Sequence, residues 1–202
     1  MCKSRTATLQ TRRATQLGAN TGHLYCEFKY APFATTPRRG YVRDAQEKDL
    51  SQRLTTALMS ALRLDEYPRL GIEVFVTCLE EDGEASVFAA AVTAASVACA
   101  QAGLEMWGLL VGCAAGYVQE NVLVDCNKQE EQKESGGWVM IRRESLNDVV
   151  SVGFRGGTIP PEILEQGLAT CTRICGQIYQ VALQALKPPE EVQSKSEKIK
   201  TN

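Results

Sequence analysis

Residues 85–102, ASVFAAAVTAASVACAQA, contain no charged side chain and are almost entirely alanine, valine and serine. Small side chains let a helix lie close on a sheet, and Gly103 supplies a natural stop. The flanks agree with that reading. GIEVFVTCL, 71–79, precedes the run and places Ile72, Val74, Val76 and Cys78 on one face of a strand. WGLLVGCAAGYV, 107–118, and VLVDC, 122–126, follow it and are apolar enough to be central strands.

The rest of the chain extends this alternation. HLYCEFKY, 23–30, alternates Leu24, Cys26, Phe28 and Tyr30 against His23, Tyr25, Glu27 and Lys29, a strand with one wet face on which His23 is a surface residue. Asp44 with Glu47 three residues on is a capping-box pair. Behind it Leu50, Leu54, Leu58 and Leu62 form a stripe, so a helix is expected from about 45 to 64, ending before Pro68. CNKQEEQKESGG reads as a polar turn, and WVMIRRES and DVVSVGFRGG as strands. Pro160 and Pro161 open a last helix, 161–187. Arg142 and Arg143 are expected to cover a strand edge. The resulting class is α+β, a mixed αβ domain with one mixed sheet and packed helices, spanning 22–187. Residues 1–21 read as a mobile basic leader and 188–202 as a disordered charged tail.

Composition excludes some functions. A net charge of −2 over 202 residues makes the whole molecule no magnet for nucleic acid, so such binding must use a local patch. No leader of the charged-then-apolar kind is expected, nor any run apolar over the ~18 residues a membrane span needs. The eight cysteines form no CxxC pair and read as reduced core thiols. Cys171 and Cys175, one helical turn apart, lack the histidines of a usual zinc set, and no metal is expected.

Two stretches carry possible chemistry. LEEDGEAS, 79–86, sets Glu80, Glu81, Asp82 and Glu84 around Gly83 where a strand ends and a helix begins. A helix N-terminus favours anions, but these carboxylates would repel phosphate. Carboxylate metal binding would need Asp125 or the Glu130–Glu131 pair to converge on them. The plainer reading is a turn at Asp82-Gly83 with glutamates favourable to the helix dipole. The loop APFATTPRRGYVRD, 31–44, carries Arg38, Arg39 and Arg43 with Tyr41 among them, a mixture suited to phosphate contact and base stacking. The same arginines could simply pair with local acids.

Several blocks occur together and in order: APFA…RRGYVRD, EKDLSQRLTTALMSAL, EYPRLGIEVFVTCLEEDG, the alanine-rich run, AGLEMWGLLVGCAAG and VLVDCNKQEE. Over residues 22–187 the chain resembles the RNase PH family. In phosphorolytic members of that family, the glycine-rich turn leads to an arginine and threonines that hold phosphate. Here Asp82-Gly83 is kept, Glu84 replaces the second glycine and Ser86 stands at about the arginine position. The later motif is kept as Val124-Asp125, but the place of a second aspartate falls near Gly137. Asp82, Gly83 and Asp125 are thus expected to be the remnant of an active-site turn, with no catalytic residue and no cofactor.

The resemblance further implies a non-catalytic structural subunit of the RNA exosome ring, supporting 3′-to-5′ RNA processing by assembly and RNA threading. Its partners would be paralogous RNase PH-like ring subunits, RNA-binding cap subunits and RNA, in nucleus, nucleolus and cytoplasm, with no membrane. Arg38, Arg39 and Arg43 would be its RNA contacts. The family's opening hairpin is not recognised before residue 22, so an open sheet edge is expected. Two alternatives stay open: an active phosphate-dependent 3′-exoribonuclease, and an unrelated αβ interaction module.

Overall fold

A computed structural model describes residues 21–40, 42 and 44–187 in full and residues 6–13 by their backbone. Tyr41, Arg43 and the expected tail, 188–202, lie outside the described residues. The elements in chain order are β1 (Thr6–Arg13), β2 (His23–Tyr30), α1 (Ala45–Ala61), β3 (Leu70–Cys78), α2 (Glu84–Gln101), β4 (Leu110–Val118), β5 (Asn121–Val124), α3 (Lys128–Glu131), β6 (Gly136–Arg143), β7 (Asp148–Gly156) and α4 (Pro161–Leu186).

The α+β class holds, but the expected single sheet is two. The first has the order β1-β3-β2, with β1 antiparallel and β2 parallel to β3. The second is antiparallel throughout, in the order β5-β4-β6-β7. Strand periodicity gives the strands but not their partners, so it could not divide them.

The leader reading needs correction. Residues 6–13 are β1, paired along β3 from Thr6 opposite Thr77 to Arg13 opposite Leu70. TATLQTRR has β-branched threonines but little large apolar surface, so its signal is weak; pairing with β3 decides its structure. Residues 6–13 thus supply a strand before residue 22, and the outer strands of this sheet are β1 and β2. β1 and β2 lie on opposite sides of β3 and do not form a hairpin with each other.

Helix α1 starts as its sequence dictates. Asp44 accepts from Ala45 N at 2.7 Å, and Glu47 closes the capping box. Leu50, Leu54, Leu58 and Leu62 are all buried. Two polar groups of α1 also serve β2: Ser51 Oγ accepts from Phe28 N at 2.9 Å, and Glu47 Oε1 from Tyr30 N at 3.0 Å. Buried strand N–H groups without a strand partner need such acceptors.

Helix α2 is the structural centre, in contact with β1 and β3 of one sheet and β4 and β6 of the other. Its alanines allow a very close approach, because a Cβ at Gly112 would run into the Ala89 carbonyl. Ser96 Oγ accepts from Leu110 N at 2.8 Å and Thr93 Oγ1 from Gly112 N at 3.0 Å. β5 pairs only with residues 115–118 of β4, so this half of β4 has no β5 neighbour and the helix hydroxyls take its N–H groups. With 18 residues and a mean hydropathy of 1.3, α2 is long and apolar enough to cross a membrane, contrary to the sequence expectation. Here it packs against both sheets.

Cys171 and Cys175 lie in the core between α4 and the second sheet, together with Cys113 and Trp138. Seven cysteines are buried free thiols, and Cys2 is outside the described residues. His23 is exposed at the start of β2, as its strand pattern predicts. Arg142 and Arg143 do not cover an edge, because β6 is an interior strand. Arg142 is buried against Glu144 at 3.1 Å, and Arg143 binds Asp148 and the Ser60 carbonyl.

Candidate functional site

The turn at 80–83 joins β3 to α2, and Gly83 is the residue before the first turn of α2. A Cβ at Gly83 would collide with the Cys126 carbonyl. Gly83 therefore lies directly against the residue that follows Asp125. Asp82 and Asp125 are both exposed. Asp125 holds a left-handed backbone, φ 59°, with its N–H donating to Ala114 O at 3.0 Å. Glu80 points to solvent as well.

Glu84 stands in the first turn of α2, favourable to its dipole as expected, but the backbone N–H groups there are capped by a glutamate from elsewhere. Gly83 offers no side chain, and the Glu131 carboxylate accepts from Glu84 N and Ala85 N, both at 3.0 Å. Glu131 reaches this place because it ends α3, a single turn with its own capping box of Asn127 and Glu130. Of the two adjacent glutamates, one closes its own helix and the other closes α2.

Arg155 on β7 completes the cluster. Its Nη2 lies 2.6 Å from Glu134 Oε1 and 3.2 Å from Glu131 Oε1, and its Nη1 lies 3.4 Å from Glu84 Oε2. One guanidinium thus serves three carboxylates. Glu134 covers Gly137, where an added Cβ would lie 2.9 Å from its Oε2. Position 137 has no acid of its own, but a carboxylate stands over it. Cys126, buried beside this cluster, has its thiol pushed up to about 11, by burial first and then by the charges of Glu134, Glu130 and Glu131. Among the described residues, no group of three His, Cys, Asp or Glu side chains is arranged to hold a metal ion.

The basic loop adjoins the turn. Glu81 N donates to Ala34 O at 3.0 Å, and a cleft of about 520 Å3 runs between them, lined by Arg38, Arg39, Asp44, Glu47, Glu81 and Lys128. Three cations there face three carboxylates, so the cleft is mixed rather than basic. Arg38 is exposed. Arg39 is engaged: its guanidinium stacks 4.0 Å above the Tyr30 ring, donates to Gln46 Oε1 at 2.8 Å and lies 3.8 Å from Asp44. Arg43 falls outside the described residues. Sequence reasoning named Glu131 only as a possible metal ligand and missed Glu134 and Arg155 as site residues. The available signal was Arg155 itself, a cation inside the alternating run DVVSVGFRGG.

A three-stranded mixed sheet and a four-stranded antiparallel sheet, joined through a helix that starts at an Asp-Gly turn, define an RNase PH-like domain. The family model described as the 3′ exoribonuclease family, domain 1, matches residues 4–105, and the chain belongs to this RNase PH family. It is 35% identical over 173 residues to the human exosome complex component MTR3, covering 82% of this chain and 63% of that protein. It is 31% identical over 166 residues to exosome complex component Rrp41 of Cenarchaeum symbiosum, covering 82% and 67%. The chain thus spans about two thirds of the length of these relatives. The crystal structure of rice Rrp46 superposes with a TM-score of 0.72 at 22% identity, over 89% of this chain and 83% of that one, a likeness of fold.

Proposed function

We propose that the chain is a non-catalytic structural subunit of an RNA exosome ring, supporting 3′-to-5′ RNA processing and decay by assembly and RNA threading. The observation that carries this reading is the charge of the turn. A phosphorolytic site must hold phosphate with positive charge and stabilise more as it reacts. Here Ser86 stands where an arginine is expected, and Glu84, Glu131 and Glu134 share the single guanidinium of Arg155. The names of the relatives support the exosome assignment. Partners on this reading are paralogous RNase PH-like ring subunits and RNA-binding cap subunits, in nucleus, nucleolus and cytoplasm. RNA contact falls to the exposed Arg38 and to Arg43, while Arg39 holds the loop on Tyr30. The alternative of an unrelated interaction module falls with the family match.

One observation favours a second reading, an active phosphate-dependent exoribonuclease: Glu134 restores a carboxylate over Gly137. Incubating the purified chain, alone and within its assembled ring, with short RNA and inorganic phosphate separates the two. No nucleoside diphosphate is expected. Release that persists through purification and disappears in Glu134→Gln would establish the second reading instead. Within the ring, Arg38→Glu is expected to weaken RNA binding and flatten its dependence on log salt by a slope of about 0.7. An unchanged slope would make the loop purely structural.

A further inference from the structure

We infer that Cys113 and Cys171 are a redox pair, which a peroxide joins in a disulfide that staples helix α4 to strand β4. The pair is independent of the ring reading. Three thiols meet between these two elements. Cys113 stands on β4, and Cys171 and Cys175 stand one helical turn apart on α4. All three are buried in one cluster with Trp138 and Met140, and the Cys113 thiol shares hydrogen bonds with both of the others. Gly167 lets α4 come down on Trp138, because a Cβ there would collide with the indole. A lone buried thiol packs as a small hydrophobe. Here two elements place a second oxidisable sulfur beside the first.

Geometry selects the pair. Residues four apart on a helix hold their Cβ atoms about 5–6 Å apart, and a disulfide needs about 3.5–4.5 Å. A Cys171–Cys175 bond is therefore disfavoured, and the bond must cross from α4 to β4. Of the two sulfurs on α4, Cys171 is the one prepared to react. The buried Trp138 Nε1–H finds no oxygen acceptor among the described residues, and the Cys171 sulfur is the group it bears on. The hydrogen bond from Cys113, helped by that from Trp138, holds the Cys171 thiol below its ordinary value despite burial. Burial instead pushes Cys26 up to about 11 and Cys99 up to about 12. The thiolate is the reactive form. Cys113 is pushed up by its hydrogen bonds to Cys171 and Cys175 and then by burial, so it keeps its proton until Cys171 has reacted.

One peroxide suffices. The Cys171 sulfur attacks a peroxide oxygen, the O–O bond breaks, and the departing hydroxide takes the Cys171 proton as water, leaving a sulfenic acid. The Cys113 sulfur then attacks the Cys171 sulfur. The S–O bond breaks, and the hydroxyl leaves with the Cys113 proton as a second water. Two thiols lose two electrons and the peroxide gains them. Because both sulfurs are buried, the rate follows local opening of α4.

The test treats the purified folded chain with hydrogen peroxide, blocks the remaining thiols in denaturant and maps the peptides. A linked Cys113–Cys171 peptide that dithiothreitol separates is expected. The linked chain should melt higher than the reduced one, because the bond closes a loop in the unfolded state, and reductant should return the midpoint. Cys175→Ser should keep both the link and the higher midpoint, and Cys171→Ser should lose both. Reduced Cys171 after prolonged peroxide, a wild-type link through Cys175, or a Cys113 link that survives in Cys171→Ser overturns the inference. So do equal yields of many cysteine pairs, the mark of oxidation after unfolding. Should Cys171→Ser fail to fold, the wild-type peptide map decides by itself.

Discussion

Helices α1 and α2 both begin immediately after an aspartate-containing turn, yet they are closed in opposite ways. At α1 the cap is local: Asp44 and Glu47, three residues apart, satisfy the first turn, with Asp44 Oδ1 accepting at 2.7 Å. At α2 the cap is distant: Gly83 contributes no side chain, and Glu131 arrives from another element. A local cap can form as soon as its helix does. A distant one exists only when the tertiary structure does. The contrast explains why one helix cap could be predicted from three residues and the other could not.

The sharpest way to break the contrast is Glu131→Ala. It removes two charge-assisted backbone hydrogen bonds and leaves Arg155 with fewer partners, and hydrogen bonds to charged groups contribute more than neutral ones. A loss of about 3 kcal/mol in urea unfolding is expected. A loss below half a kilocalorie would show that the distant cap contributes nothing to stability. Glu47→Ala comes next. It leaves the buried N–H of Tyr30 without its acceptor, at a cost of about 2 kcal/mol. Glu47→Gln, which keeps an acceptor oxygen, should recover more than half of that. The smallest effect belongs to Asp44→Ala, an exposed cap whose removal costs about 1 kcal/mol. If Asp44→Ala exceeded Glu131→Ala, the ranking of distant over local capping would be reversed.

The same distinction separates what the sequence discloses from what it conceals. Period and capping located α1, β3, α2 and α4 to within a few residues, because each carries its signal within its own span. β1 escaped because TATLQTRR has little apolar surface and becomes a strand through its pairing with β3. The division into two sheets escaped for a similar reason, since α2 contacts both and no local pattern reports that. At the site, the resemblance led to Asp82, Gly83 and Asp125, and the structure brings Gly83 against the residue that follows Asp125. The tasks of Glu131, Glu134 and Arg155 are properties of the folded arrangement. Adjacent glutamates at 130 and 131 look interchangeable in the chain, but the helical turn of α3 sends one back to Asn127 and the other across to α2.

Ser96 and Thr93 have a mechanical consequence. A helix of alanines on a flat apolar sheet has few features to stop it gliding along its own axis. Two hydroxyls, one turn apart on α2, engage successive alternate residues of β4, Leu110 and Gly112. They act as pegs in a rack: any axial slip would break both bonds together and strand two backbone donors. Ser51 does the same for α1 against β2 through Phe28. Shear, the commonest soft motion of a helix layer over a sheet, is thereby removed from both helices. The domain should transmit a push on α1 or α2 to its sheets as a rigid body.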